Sequence, residues 1–297
     1  MAASTAPRSF LAGDSARIRQ PRWRTKSSTS AATTADGATA GVADARCATA
    51  RTSPIGRRGV VYGREDVAHG FGAQAADVDE CPDQPQALKV GVVGATGGTG
   101  AAVVGQALER GWSVTALVRN GRAGVDPAAG VITGDVRDAG TVGTALAGVD
   151  AVVCCLGVRI GQPAGTVRSE GTANLARQMH THGVARIVAV STVGVGSSVA
   201  DQSRTARLLW PRLAGRDRLA EADRAEAEIR DPAHGLAWTL VRPPRLTDAP
   251  VSGHVAVGPS VRTGLRSQLS RADLAAVLLD QLTDDRYRGM AVTALNP

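Results

Sequence analysis

The sequence is poor in aromatic residues and nearly devoid of lysine. Its 297 residues include two Tyr, two Phe and four Trp, and the only lysines are Lys26 and Lys89. No run is long and apolar enough for a secretory signal or a membrane span. The cysteines Cys47, Cys81, Cys154 and Cys155 have neither metal-site spacing nor the pattern of a disulfide framework, and the five His residues form no ligand set. Cys154 and Cys155 adjoin in an apolar stretch, where strand neighbours point to opposite faces, and read as buried, reduced core residues. The formal charge of +7 raises the question of nucleic acid, but from residue 87 onward 23 basic and 18 acidic residues are scattered rather than striped. With aromatics this scarce, that distribution describes a solvated surface and argues against a nucleic-acid partner.

What is present is unevenly spread. Residues 1–86 are rich in Ala, Ser, Thr, Gly and Arg and show no sustained apolar period. Such a segment cannot bury enough apolar surface to offset its ordering entropy, so a disordered extension is expected there. Its first 35 residues carry six basic residues and one acid, Asp14. That resembles an organelle transit peptide in composition, although the same Arg/Ala/Gly bias runs through the whole chain and favours a plain extension on a cytoplasmic protein. Residues 87–297 are dominated by Val, Leu, Ala and Ile and suffice for one α/β domain.

The most informative stretch is residues 89–120, KVGVVGATGGTGAAVVGQALERGWSVTALVRN. Val90, Val92 and Val93 form a short apolar strand, and Gly94, Gly97 and Gly100 follow at spacings of three. A helix opens at about Gly98 with Val103, Val104, Ala107 and Leu108 on its apolar face and Gly111 as its stop. Residues 112–118 read as a second strand. Glycine between a strand and a helix permits a tight turn and lets a pyrophosphate approach the backbone, with the helix's unpaired N–H groups and positive dipole end aimed at it. The strand–turn–helix–strand context is what makes the triplet a dinucleotide-binding motif.

The end of the second strand bears on which dinucleotide. An NAD site places a carboxylate there for the ribose 2′-OH, yet no acid occurs between Glu109 and Asp126. Arg119 and Arg122 occupy the stretch instead, and a guanidinium fork suits a 2′-phosphate. NADP(H) is the expected cofactor; the competing account is two solvated surface arginines.

Strand and helix then alternate. Strands are expected at 130–136, 150–157, 185–191, 236–242 and 289–294, and helices at 139–146, 167–182, 216–230 and 271–283. Continuous apolar strands between helices mean a parallel sheet covered on both faces, doubly wound, in a Rossmann-type α/β fold with the ligand crevice at the strands' carboxyl ends. That rim collects Gly94, Arg119, Asp135, Leu156, Gly157, Ser191, Thr192, Pro243 and Pro244. Asp135 and Val136 are placed to flank an adenine, and Gly157 to allow close cofactor approach.

These motifs (GATGGTG, LVRN, TGDVRD, CCLGVR, VRSEGTANLARQMHTHGVARIVAVST and WTLVRPPRLTD) resemble those of the atypical short-chain dehydrogenase/reductases, in particular the NAD(P)H-binding group that includes biliverdin-IXβ reductase/flavin reductase. The resemblance spans residues 87–297. It implies cofactor contacts at Gly94, Thr96, Gly97, Gly98, Thr99, Arg119, Asp135, Val136, Leu156 and Gly157, and a substrate pocket lined by Ser191, Thr192, Pro244 and Arg245. Arg245 departs from the family member, which has histidine after the paired prolines, and this weighs against a tetrapyrrole as substrate.

The residues also exclude a mechanism. Conventional short-chain dehydrogenases use a Tyr-x-x-x-Lys pair for proton transfer. Residues 87–297 hold one Tyr, Tyr287, and one Lys, Lys89, so no such pair exists there. The expectation is an NADPH-dependent reductase of a flavin, quinone or related conjugated acceptor, with Ser191 or Thr192 orienting the reactants or simply satisfied at a strand end. The alternatives are a non-catalytic NADP(H) sensor and, more remotely, a nucleotide-sugar epimerase. The expected partner is the small acceptor molecule alone, with no membrane, and the chain a monomer or weak homodimer.

Overall fold

Period-two alternation of apolar side chains sets the layering of this protein, seen in a computed structural model that describes residues 87–121, 124–158 and 162–297. The expectations for residues 1–86 and for Arg122 lie outside the described residues. In chain order the elements are β1 (Lys89–Val93), α1 (Gly98–Glu109), β2 (Ser113–Val118), β3 (Gly130–Thr133), α2 (Ala139–Leu146), β4 (Ala151–Cys154), α3 (Val167–Thr181), β5 (Arg186–Val190), α4 (Arg204–Ala214), α5 (Arg216–Arg230), β6 (Ala237–Arg242), β7 (Arg245–Thr247), β8 (Ala256–Gly258), β9 (Gln268–Ser270), α6 (Arg271–Thr283) and β10 (Met290–Leu295).

Eight strands form one sheet in the order β3-β2-β1-β4-β5-β6-β10-β8. On β1, Val90 and Val92 pack with Val103, Val104 and Ala107 of α1 and with Leu274, Val277 and Leu278 of α6. Val93, Val152, Cys154, Ile187 and Leu240 face the other way, onto Val142 of α2, Leu175 and Met179 of α3 and Ile229 of α5. Each buried aliphatic side chain contributes about 1.5–3 kcal/mol, so the two layers together supply the driving force for the doubly wound sheet.

The sheet is parallel from β3 through β10, as the apolar strands imply, and departs from that at its edge. There β8 pairs antiparallel with β10, with Val257 opposite Ala294. A separate parallel pair, β7 and β9, joins Arg245 to Gln268. Both features rest on three-residue strands, too short to show a period. The helix α4 also lies outside the expected pattern. It carries Pro211 in its interior, which normally marks a boundary, and only Ala206 of its residues is buried.

Strand order reverses between β1 and β4, whose Val93 and Cys154 are register partners. Crevices for ligands form at such switch points, beyond the carboxyl ends of the strands. Here Cys155 N–H still donates to the Val93 carbonyl at 2.8 Å. Beyond it the chains part, leaving Leu156 and Gly157 outside the ladder rather than in the longer strand expected.

Candidate functional site

The three motif glycines hold the turn above β1 in three distinct ways. Gly94 has φ +84°, and a Cβ there would lie 2.8 Å from the Cys155 carbonyl oxygen, so the tight turn at the switch point admits only glycine. A Cβ at Gly100 would fall 2.2 Å from the Gly94 oxygen, which fixes how closely α1 packs on the turn. Gly97 differs. Its backbone is ordinary extended, φ −76° and ψ 156°, and a Cβ would meet only the Gly94 oxygen at 3.4 Å. Neither strain nor packing requires glycine at Gly97, which is half-buried beside the exposed Thr96 and Gly98. No side chain caps α1 and its first turn has no acid, which leaves its leading N–H groups and positive dipole end to an anion. This cradle fits a dinucleotide diphosphate. Thr96 and Gly98 are exposed beside it, and Thr99 is half-buried.

Arg119 directly follows β2 and is exposed. The neighbouring turn after β3 holds Asp135, whose carboxylate accepts from Arg137 Nε at 3.1 Å, Arg137 Nη2 at 2.8 Å and the Arg137 backbone N–H at 2.9 Å. These hydrogen bonds from Arg137, with lesser help from the charges of Arg137 and Arg119, hold the Asp135 carboxyl down at about 2. The bonded turn is why β3 stops at Thr133 instead of running on to Val136.

Helix α3 shapes the centre of the crevice. A Cβ at Gly171 would lie 2.5 Å from Val136 Cγ1 and 3.2 Å from Leu156 Cδ1, so only glycine lets α3 cross these two side chains. Asn174 Nδ2 donates to the Val136 carbonyl at 2.8 Å. Val136, Leu156 and Gly157, predicted separately, are thus brought onto one wall, with Gly157 exposed at its lip. The sequence reading missed Gly171 and Asn174, although GTAN in a helix was a signal: both residues are poor helix formers.

Beyond β5 the two hydroxyls part. Ser191 is buried and its hydroxyl donates to Glu226 of α5. The same carboxylate receives Arg242 Nε at 2.8 Å and Nη2 at 2.6 Å, and Arg242 Nη1 donates to Ser197 Oγ at 2.8 Å. Ser191 therefore belongs to a buried ionic network on the α3/α5 side of the sheet. Thr192 is half-buried, with its hydroxyl 3.3 Å from the Val193 carbonyl. Pro244 is buried, whereas Arg245 is exposed and donates to Gln268 Oε1 at 2.7 Å. Tyr287 donates its hydroxyl to the Val257 carbonyl at 3.2 Å inside the core. That carbonyl belongs to β8, the outermost strand beside β10 and several strands from β1, whereas Lys89 opens β1 at its amino end, opposite the crevice. Burial pushes the thiols of Cys154 and Cys155 up, which makes them poor nucleophiles. Among the described residues no cluster of His, Cys, Asp or Glu could hold a metal ion, and no helix is long and apolar enough to cross a membrane.

A doubly wound sheet with a glycine cradle at its switch point defines a dinucleotide-binding α/β protein. The chain matches the NAD(P)H-binding family over residues 94–285 and belongs to it. It is 31% identical over 216 residues to an uncharacterized chloroplastic protein of Arabidopsis thaliana, covering 69% of this chain and 76% of that one. Its fold is similar to that of a short-chain dehydrogenase/reductase from Veillonella parvula in complex with NADP, with a TM-score of 0.61 at 14% identity over 71% of this chain and 95% of that one. It is also similar to that of the anaerobilin reductase of Escherichia coli O157:H7, with a TM-score of 0.58 at 21% identity over 71% of this chain and 98% of that one.

Proposed function

We propose that this protein is an NADPH-dependent oxidoreductase that reduces a flavin, quinone or related conjugated acceptor. The observation that carries the proposal is the open glycine turn at the uncapped amino end of α1, on a sheet whose only tyrosine among residues 87–297 is bonded at β8 and whose only lysine there opens β1 at its amino end. Gly94, Thr96, Gly97, Gly98, Thr99 and Gly100 would hold the diphosphate, Arg119 with Arg122 the 2′-phosphate, Asp135 and Val136 the adenosine, and Leu156 and Gly157 the nicotinamide side. When bound, NADPH supplies a hydride, and the acceptor takes up that hydride with one proton from solvent.

A conjugated acceptor spreads the incoming charge over its own π-system, so the protein's task is orientation and exclusion of water. Thr192 can orient a reactant by hydrogen bonding. Ser191 acts one step back, fixing the end of β5 through Glu226. Pro244 gives the acceptor an apolar wall, and Arg245 at the rim can pair with an anionic group such as a flavin phosphate. The fold similarity to an anaerobilin reductase supports an extended conjugated system as the substrate class. The working unit in this reading is a monomer or weak homodimer with its single domain in residues 87–297.

NADPH oxidation should be followed at fixed enzyme with FMN, riboflavin, a soluble quinone and a bilin. Steady acceptor-dependent oxidation supports a reductase. Tight NADPH binding with no turnover across that set would instead assign a sensing role.

A further inference from the structure

The guanidinium of Arg271 lies against the first residue of α1, although the two are far apart in the sequence. A Cβ built on Gly98 would sit 2.8 Å from Arg271 Cδ and 3.0 Å from its Nε. Gly98 therefore does more than begin a helix: its missing side chain leaves the room that Arg271 fills. Backbone and helix dipole already make this the anion-binding end of α1.

The base of Arg271 is firmly held. Ser270 caps α6 by accepting from the Asp273 N–H at 2.9 Å. The Asp273 carboxylate accepts from the Ser252 and Gly253 N–H groups at 2.9 and 3.1 Å and from Asn296 Nδ2 at 2.8 Å. Gln106 of α1 donates to the Ala272 carbonyl at 2.9 Å, which locks the first turn of α6 beside α1. Its head is only loosely engaged. Arg271 Nη1 meets Asp248 Oδ1 at 2.5 Å, but the Asp248 side chain is 89% exposed and that of Arg271 only 28%. An ion pair so open to water is weak and is readily exchanged for a stronger anion.

We infer that Arg271 is a cofactor-binding residue that clamps the dinucleotide diphosphate on the first turn of α1, with Asp248 as its counter-ion in the free protein. A diphosphate offers more charge and more acceptor oxygens than one carboxylate, and a guanidinium engages it in a fork. The inference rests on the nicotinamide-cofactor reading of the same cradle. It adds a contact from the far end of the domain, and binding the diphosphate releases Asp248, in the segment after β7, from the guanidinium.

The test is titration of the full chain with NADPH, NADH and 2′-AMP in the unaltered protein and in Arg271→Met, Arg271→Lys and Asp248→Asn. Both dinucleotides carry the diphosphate, and 2′-AMP carries only the 2′-phosphate. Arg271→Met should weaken NADPH and NADH alike by about tenfold or more and leave 2′-AMP unchanged. Arg271→Lys should recover part of the loss, and Asp248→Asn should tighten both dinucleotides a few-fold by freeing the guanidinium. Unchanged NADPH affinity in Arg271→Met would overturn the inference and leave a packing strap, as would an equal loss for 2′-AMP. If the unaltered chain bound neither dinucleotide, the cofactor reading itself would fail.

Discussion

Charge and shape at single positions decide which dinucleotide fits. Arg119 stands at the end of β2 where an NAD site has an acid, so in the NADPH reading proposed above Arg119→Asp would remove a phosphate partner and add a ribose acceptor. Its preference should move from NADPH towards NADH, measured as the ratio of the two dissociation constants; equal affinities in the unaltered protein would already contradict the assignment. Asp135 provides a pH signature. Its carboxyl is held at about 2, below its ordinary value, by Arg137. A lowered pKa means the contribution is complete above the unfolded-state value and disappears as pH falls from about 4 to 2. The melting temperature of Asp135→Asn should therefore converge on that of the unaltered protein in that window. A difference that stayed constant from pH 6 to pH 2 would contradict the role given to the Arg137 hydrogen bonds. Because the group is partly exposed, the effect is small.

Elements in this protein are joined by buried polar groups as well as by apolar faces. Glu226 and Arg242 are 1% and 2% exposed and link α5 to β6 beneath Ser191. Glu226→Ala should cost about 3–5 kcal/mol in chemical denaturation, since it strands a buried guanidinium. Adding Arg242→Met should recover part of that loss, and strictly additive costs would show that the two groups do not act as a pair. The network was illegible in the sequence, where Glu226 was one acid in a charged helix and Ser191 a hydroxyl on the rim. Two residues far apart in the chain carry no mutual period or spacing, and the same reason hid Arg271 and its place over Gly98. The layers were legible because continuous apolar strands between helices are a local pattern, and the cradle because its glycines fall within seven residues of one another. Where strands shrink to three residues, as in β7, β8 and β9, or a helix contains Pro211, the local signal ends and tertiary packing decides.

At the scale of the whole molecule, the sheet, the switch point and the cradle lie within residues 87–297, which hold both packed layers. Residues 1–86 offer few aliphatics by composition. Removing residues 1–83 should leave the melting temperature and NADPH affinity nearly unchanged; a large fall in either would show that this segment contributes to the core or to the site. In the function proposed above, the surface at Gly97 receives a cofactor whose reducing power passes to a conjugated acceptor. Gly97→Val probes this reading at one position, because an extended backbone and a Cβ whose only neighbour is the Gly94 oxygen at 3.4 Å let the variant fold while the side chain occupies the diphosphate's approach. The decisive measurement is NADPH oxidation with the best acceptor in the unaltered and Gly97→Val proteins, alongside their circular dichroism. Acceptor-dependent turnover that Gly97→Val abolishes with the fold intact is the predicted result. Turnover that survives the substitution would show that the diphosphate does not approach at Gly97, and its absence in an unaltered protein that binds NADPH tightly would show that the protein is not a reductase of these acceptors.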